Sequence, residues 1–216
     1  RTITGLAWSA GDIIVIIGGL ETVGSSETIG NPTNANLTIG AAKASSTSGS
    51  EAGVYVWASN AAAGAQTSQT ISATATGGKQ WGMAAWVITG APTGFANATA
   101  NLTESSISRT VTAGSVVVHG VIDFNATNPP GKTPLTGSGT ATERLDQGNG
   151  TSYAQWLADW VGTAAGTFSF GPNNYTSLQV AQAIIEITAP ADSYNPPPGR
   201  NVYVSPTVAV HQSYNW

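Results

Sequence analysis

The chain contains no cysteine, so disulfides and thiolate metal sites are excluded and the redox compartment is not legible. Charge is almost as scarce. Only 8% of the 216 residues are Asp, Glu, Lys or Arg, against roughly 25% in an average globular protein. The basic residues are Arg1, Lys43, Lys79, Arg109, Lys132, Arg144 and Arg200, and no two are adjacent. Neutralising phosphates requires clustered positive charge, so neither a nucleic-acid partner nor a polybasic membrane patch is expected. No apolar run approaches the roughly 20 residues of a membrane-spanning helix. The longest, from Ile13 to Ile17, is strand-sized, and membrane insertion is not expected. No stretch keeps an apolar 3.6-residue period over three turns.

What is present is apolar residues at 41%, with Ser, Thr, Asn and Gly where charge would normally stand. This is no disordered polar chain. A surface of hydroxyls and amides suits proteins that live in assemblies or outside cells. Arg1 opens the chain without a methionine, which points to processing or to numbering from an internal residue. Six Asn-x-Ser/Thr triplets occur, at Asn36, Asn97, Asn101, Asn125, Asn149 and Asn174. Chance accounts for such triplets in so Asn- and Thr-rich a chain.

Short runs rich in Val, Ile, Thr, Trp and Tyr alternate with Gly, Pro, Asn and Ser clusters, the pattern of an all-β sandwich or barrel. Asp12-Ile-Ile-Val-Ile-Ile17 follows the turn Ser9-Ala-Gly11 and reads as a strand buried on both faces. A weak strand is expected around Leu37-Thr-Ile39, a core strand at Gly53-Val-Tyr-Val-Trp-Ala58, and an outer strand around Ile71. From Trp81 to Thr89, the side chains of Trp81, Met83, Ala85 and Val87 share one face, and Trp86 and Ile88 the other. The second half continues in the same manner, with a strand from Ser106 to Val111, a turn at Gly114, and a buried strand from Ser115 to Phe124. Thr142 to Asp146 is expected to pair with Tyr153 to Val161 across Gly148-Asn-Gly150. Thr167 to Phe170 and Leu178 to Thr188 complete the set.

Residues 1–189 thus read as one sandwich domain and 190–200 as a stiff linker carrying Pro196-Pro-Pro198. Residues 201–216 read as an extended C-terminal strand interrupted by Pro206, which favours a sheet edge. Its apolar residues, Val202, Tyr203, Val204, Val208, Val210, Tyr214 and Trp216, would be exposed unless they dock. They are the candidate subunit interface, on a neighbouring copy to whose sheet they add a strand. Folding back on their own domain is the alternative.

Candidates for chemistry are few. His119 lies inside Val116-Val-Val-His-Gly-Val-Ile and reads as a structural strand residue. His211 is in the tail. Two histidines in separate segments make no metal site without carboxylates at useful spacing. Among eleven acids no catalytic pair is signalled, and no EF-hand spacing supports calcium. Asp159, between Trp156 and Trp160, is the acid to inspect first, with a salt bridge or turn hydrogen bond as the expected role. No nucleophile elbow or phosphate loop is present. The expectation is a non-enzymatic protein with no catalytic residue, cofactor or metal. Seven tryptophans offer a different clue, because exposed aromatics stack on sugar rings; Tyr153 and Trp156 are the candidate glycan-stacking residues.

Several of these segments together resemble a domain of bacteriophage minor tail and other virion proteins. The residues concerned are Trp8-Ser-Ala-Gly-Asp-Ile-Ile-Val-Ile16, Gly53-Val-Tyr-Val-Trp-Ala58, a Thr-rich strand, Trp81-Gly-Met-Ala-Ala-Trp-Val-Ile-Thr-Gly90 and the closing Val180-Ala-Gln-Ala-Ile-Ile-Glu-Ile187. The resemblance spans residues 5–188 and rests on patterns of residue type. It implies an antiparallel β-sandwich, jelly-roll-like or lectin-like, without enzymatic activity. It also implies a strand ahead of Gly11-Asp12, which only Arg1 to Leu6 can supply. The expectation is a virion structural component of tail, fibre or capsid-decoration type, whose partners are other copies of itself and other virion proteins. A carbohydrate-binding or host-adhesion module facing a cell-surface glycan is one alternative. An extracellular filament subunit joined by donor-strand exchange is the other.

Overall fold

The computed structural model describes residues 1–21, 27–47, 52–77, 80–90, 92–102, 106–123, 133–136, 138–148, 154–173, 180–189 and 208–215, with side chains of 147–148 and 208–215 not described. Among these residues there are fourteen β-strands and no helix. They are β1 (Thr2–Trp8), β2 (Ile13–Glu21), β3 (Ala44–Thr47), β4 (Ala52–Ala58), β5 (Gln66–Ser72), β6 (Trp81–Ile88) and β7 (Gly94–Asn101) in the first half. The second half holds β8 (Ile107–Val111), β9 (Val116–Asp123), β10 (Thr140–Gly148), β11 (Ala154–Val161), β12 (Gly166–Phe170), β13 (Val180–Thr188) and β14 (Val208–Asn215).

Two five-stranded antiparallel sheets face each other, in the orders β14-β6-β2-β4-β3 and β10-β11-β9-β13-β7. The expected antiparallel sandwich is therefore the observed architecture. Two two-stranded ribbons, β1-β5 and β12-β8, cover its outer faces. The result is four layers with three apolar interfaces. The middle one joins Ile13, Val15, Ile17, Val56 and Trp86 to Val118, Ile122, Leu157, Ala183 and Ile185. Beneath the first ribbon Ile3, Leu6 and Ile71 meet Ile14, Ile16 and Trp57; beneath the second Ile107 and Phe170 meet Trp156, Trp160 and Val121.

The layering explains the sequence patterns. β2, β4, β9 and β11 are covered on both faces, so they are almost continuously apolar. Ribbon strands have one face on the core and one in water, so β8 alternates Ile107 in, Ser108 out, with Val111 in. The expected strand at Leu37-Thr-Ile39 is not formed. Only isolated bridges occur there, such as Asn34 with Leu37, and Ile39 instead plugs the core under the first ribbon. Conversely, β3 and β7 have no counterpart in the sequence reading. Both are edge strands with incompletely buried side chains, and they lack the apolar density that marks β2 or β9. The turn expected at Gly148-Asn-Gly150 lies partly outside the described residues, although β10 and β11 pair as expected.

The fourteen strands form two sets of seven with the same pairing plan. β1 pairs with β5 as β8 does with β12. β2 lies between β4 and β6 as β9 lies between β11 and β13. β3 flanks β4 as β10 flanks β11. Registers correspond: Ile13 faces Ile88, and Val116 faces Ile187. The turns entering β2 and β9 correspond as well, with Gly11 at φ 89° and Gly114 at φ 77° in the left-handed region that favours glycine. The seventh strands, however, change places. β7 pairs with β13 of the second half, and β14 with β6 of the first. The protein is thus an internally duplicated sandwich whose halves exchange their last strands.

Candidate functional site

Among the described residues, three buried polar clusters and one sheet edge are the candidate sites. The first cluster forms on the inner side of β11. Asp159 is fully buried and accepts a hydrogen bond from Trp86 Nε1 across the two sheets at 3.2 Å. It also forms a two-point ion pair with Arg144 on β10, through Nε to Oδ2 and through Nη2 to Oδ1 at 3.1 Å. The arrangement satisfies an indole N–H and a carboxylate that would each be costly to bury alone. The salt bridge expected for Asp159 is present.

The second cluster surrounds Glu186 on β13. Its Oε1 accepts from the Thr112 amide at 2.7 Å, the Thr112 hydroxyl at 2.5 Å and Ser115 Oγ at 2.8 Å, while Oε2 accepts from Asn97 Nδ2 at 3.0 Å. Burial alone would push this carboxyl up. The bonds from Thr112, Ser115 and Asn97 outweigh it and hold the group below the usual value.

The third cluster is His119 on β9. It is fully buried, with Nε2 2.7 Å from Gln182 Oε1 and its ring against Trp156 and Trp160 at centroid distances of 6.0 and 6.3 Å. With Oε1 as acceptor, Nε2 carries the proton. Burial lowers the pKa to about 4, against a partial opposing effect of the Gln182 bond, so the ring is neutral at pH 7. The corresponding positions in the first half are Ile16 and Met83, both in the apolar core.

His119, Asp159 and Glu186 stand on different strands and engage different partners. All three are buried, so a substrate in solution meets none of them in this state. Among the described residues no group of three or more His, Cys, Asp or Glu gathers as a metal site would require. Trp156 corrects an expectation. Its ring is 1% exposed, packed with Trp160 under the β8-β12 ribbon, and its Nε1 bonds Glu143 at 2.9 Å. Such a ring has no face to offer a sugar. Tyr153 lies outside the described residues.

The edge is formed by β6. Trp86 and Ile88 face the inter-sheet core, and Met83, Ala85 and Val87 face the layer beneath β1. β14 lies antiparallel along it, with Val208 opposite Ile88 and Tyr214 opposite Gly82. Of the expected interface residues, Val208, Val210 and Tyr214 therefore belong to a strand that completes a sheet of their own chain, the folded-back alternative. Val202, Tyr203, Val204 and Trp216 lie outside the described residues. Sequence reasoning placed this strand at an edge. It did not find which edge, because nothing local in β6 announces which of its neighbours is late in the chain.

Comparison with family models, with curated proteins and with solved structures returns no match.

Proposed function

We propose that this is a non-enzymatic structural protein of a virion, a tail, fibre or capsid-decoration component that acts through contacts between subunits. The observation that carries the reading is β14, a strand at the far end of a long proline-bearing connection that completes the edge of a sheet formed by the first half. Strand addition supplies main-chain hydrogen bonds along a whole edge without any need for surface charge. That suits a chain with 8% charged residues. The buried polar groups support the same reading, because Asp159 bonds across the two sheets, Glu186 ties β13 to the turn before β9, His119 and Gln182 join neighbouring strands, and all are shielded from solvent.

The test is deletion of residues 190–216, followed by sedimentation and electron microscopy. The full chain is expected to form assemblies, and the truncated chain to keep its β-sheet circular dichroism while losing assembly. A full chain that remains monomeric at high concentration, or a truncated one that assembles as the full chain does, overturns the proposal.

A further inference from the structure

We infer that β14 is exchanged between copies, so that residues 208–215 of one chain fill the β6 edge of a second copy in the register seen here, Val208 opposite Ile88. The inference rests on the assembly reading above and names the surface and its occupant.

The internal duplication provides the yardstick. Three equivalent connections in the two halves match within one residue: 9–12 before β2 and 112–115 before β9, 48–51 before β4 and 149–153 before β11, 73–80 before β6 and 171–179 before β13; those before β5 and β12 differ by three residues and those before β3 and β10 by six. The connection to the seventh strand departs much further. β6 reaches β7 through residues 89–93, five in number, whereas β13 reaches β14 through residues 189–207, nineteen in number. Both connections carry a strand from one sheet to the far edge of the other. By the equivalence of the halves, a path of about five residues is enough to close the sandwich within one chain. Nineteen residues can extend to roughly 60 Å at about 3.3 Å each, whereas packed sheets lie about 10 Å apart. The excess reaches well beyond the chain's own edge.

The acceptor is built for a strand that arrives from elsewhere. In both halves the sixth strand is completed by a seventh strand from the other half, so the pairing never depended on the preceding residues of the same half. Exchange preserves every contact of the closed form and changes only which chain the linker joins, which is the condition under which strand swapping costs least. An empty β6 edge would bare a row of backbone donors and acceptors over an apolar strand. A second copy of β14 is the occupant whose fit to that edge is on view.

The chain has no cysteine, so introduced thiols can pair only with each other. Ala85 lies opposite His211, and Ala84 opposite Gln212. Antiparallel pairs alternate between close and wide spacing, so one of these two is the close pair suited to a disulfide. An Ala85→Cys chain is co-expressed with a differently tagged His211→Cys chain, and Ala84→Cys with Gln212→Cys. Exchange predicts a disulfide joining the two tags in one of the combinations. No joined species in either combination overturns it. A second variant, lacking residues 194–205, keeps seven linker residues, enough for closure in one chain. It is expected to sediment as a monomer, and a shortened chain that assembles like the full one overturns the inference. If the full chain assembles but no tags are joined, exchange fails and the assembly reading stands. If the full chain stays monomeric, both fall.

Discussion

Ser9 and Thr112 occupy the same place in the two halves, each opening the turn before a central strand. Each presents a backbone N–H that needs an acceptor. In the first half Asp12 supplies it from within the turn, with Oδ2 2.7 Å from Ser9 N. In the second half the position of Asp12 is taken by Ser115, and the carboxylate comes from Glu186 on β13. One requirement is met by two residues far apart in sequence. Asp12 was legible as a turn residue at a strand start, but nothing near Thr112 pointed to Glu186. His119 allows a test at the same scale. Its pKa is about 4 in the folded protein against an ordinary 6.5. Between these values the unfolded chain holds more protons, so stability is full above pH 6.5 and falls as the pH drops towards 4. The loss amounts to about 3 kcal/mol at most. Urea unfolding across this range should show the decline, and His119→Gln, whose amide can still reach Gln182, should flatten it. An unchanged slope in the variant would assign the effect elsewhere.

At the scale of elements, β2 and β9 cross at the centre of the molecule. Gly19 receives Ile122, and Gly120 receives Ile17. Residue 17 corresponds to 120, and 19 to 122, so each isoleucine packs on the glycine at its own equivalent position. Two identical halves could not do this, since two isoleucines would collide and two glycines would leave a void. The halves have become complementary. A Cβ on Gly19 would overlap Cδ1 of Ile122 and crowd its Cγ1. Gly19→Ala is therefore expected to destabilise the protein by about 1–3 kcal/mol, measured by chemical denaturation. Adding Ile122→Ala should restore part of the loss relative to additivity. Additive effects of the two changes would contradict the packing described. Strands β2, β4, β6 and β9 were legible because burial on both faces demands continuous apolar residues. β3 and β7 were not, because an edge strand held by backbone bonds places little demand on its side chains.

The crossing of β7 to the second half's sheet ties the halves of the whole molecule together. β7, which the short connection 89–93 joins to β6, cannot leave β13 without uncovering the second half's sheet. Trp86 and Asp159 bond across the same interface. Two independent domains would unfold in two steps. Here a single transition is expected, with tryptophan fluorescence and far-ultraviolet circular dichroism coinciding along a denaturant series. Separate midpoints for the two probes would show that the halves are only loosely coupled.

Local sequence was enough for the β class, the central strands, a structural role for His119, a salt bridge for Asp159, and the existence of a late strand after a proline linker. These follow from composition and the two-residue period of a strand. The duplication was not read from the sequence, although Ser9-Ala-Gly-Asp12 beside Thr112-Ala-Gly-Ser115, and Ile88-Thr-Gly-Ala-Pro92 beside Ile187-Thr-Ala-Pro190, echo it once the fold is known. The four layers, the burial of Trp156, and the crossing of β7 and β14 to the opposite half came from the folded packing. Strand pairing is made by backbone groups that every residue but proline carries. Which strand joins which is therefore set by the packing of the completed layers, a choice that local pattern does not encode.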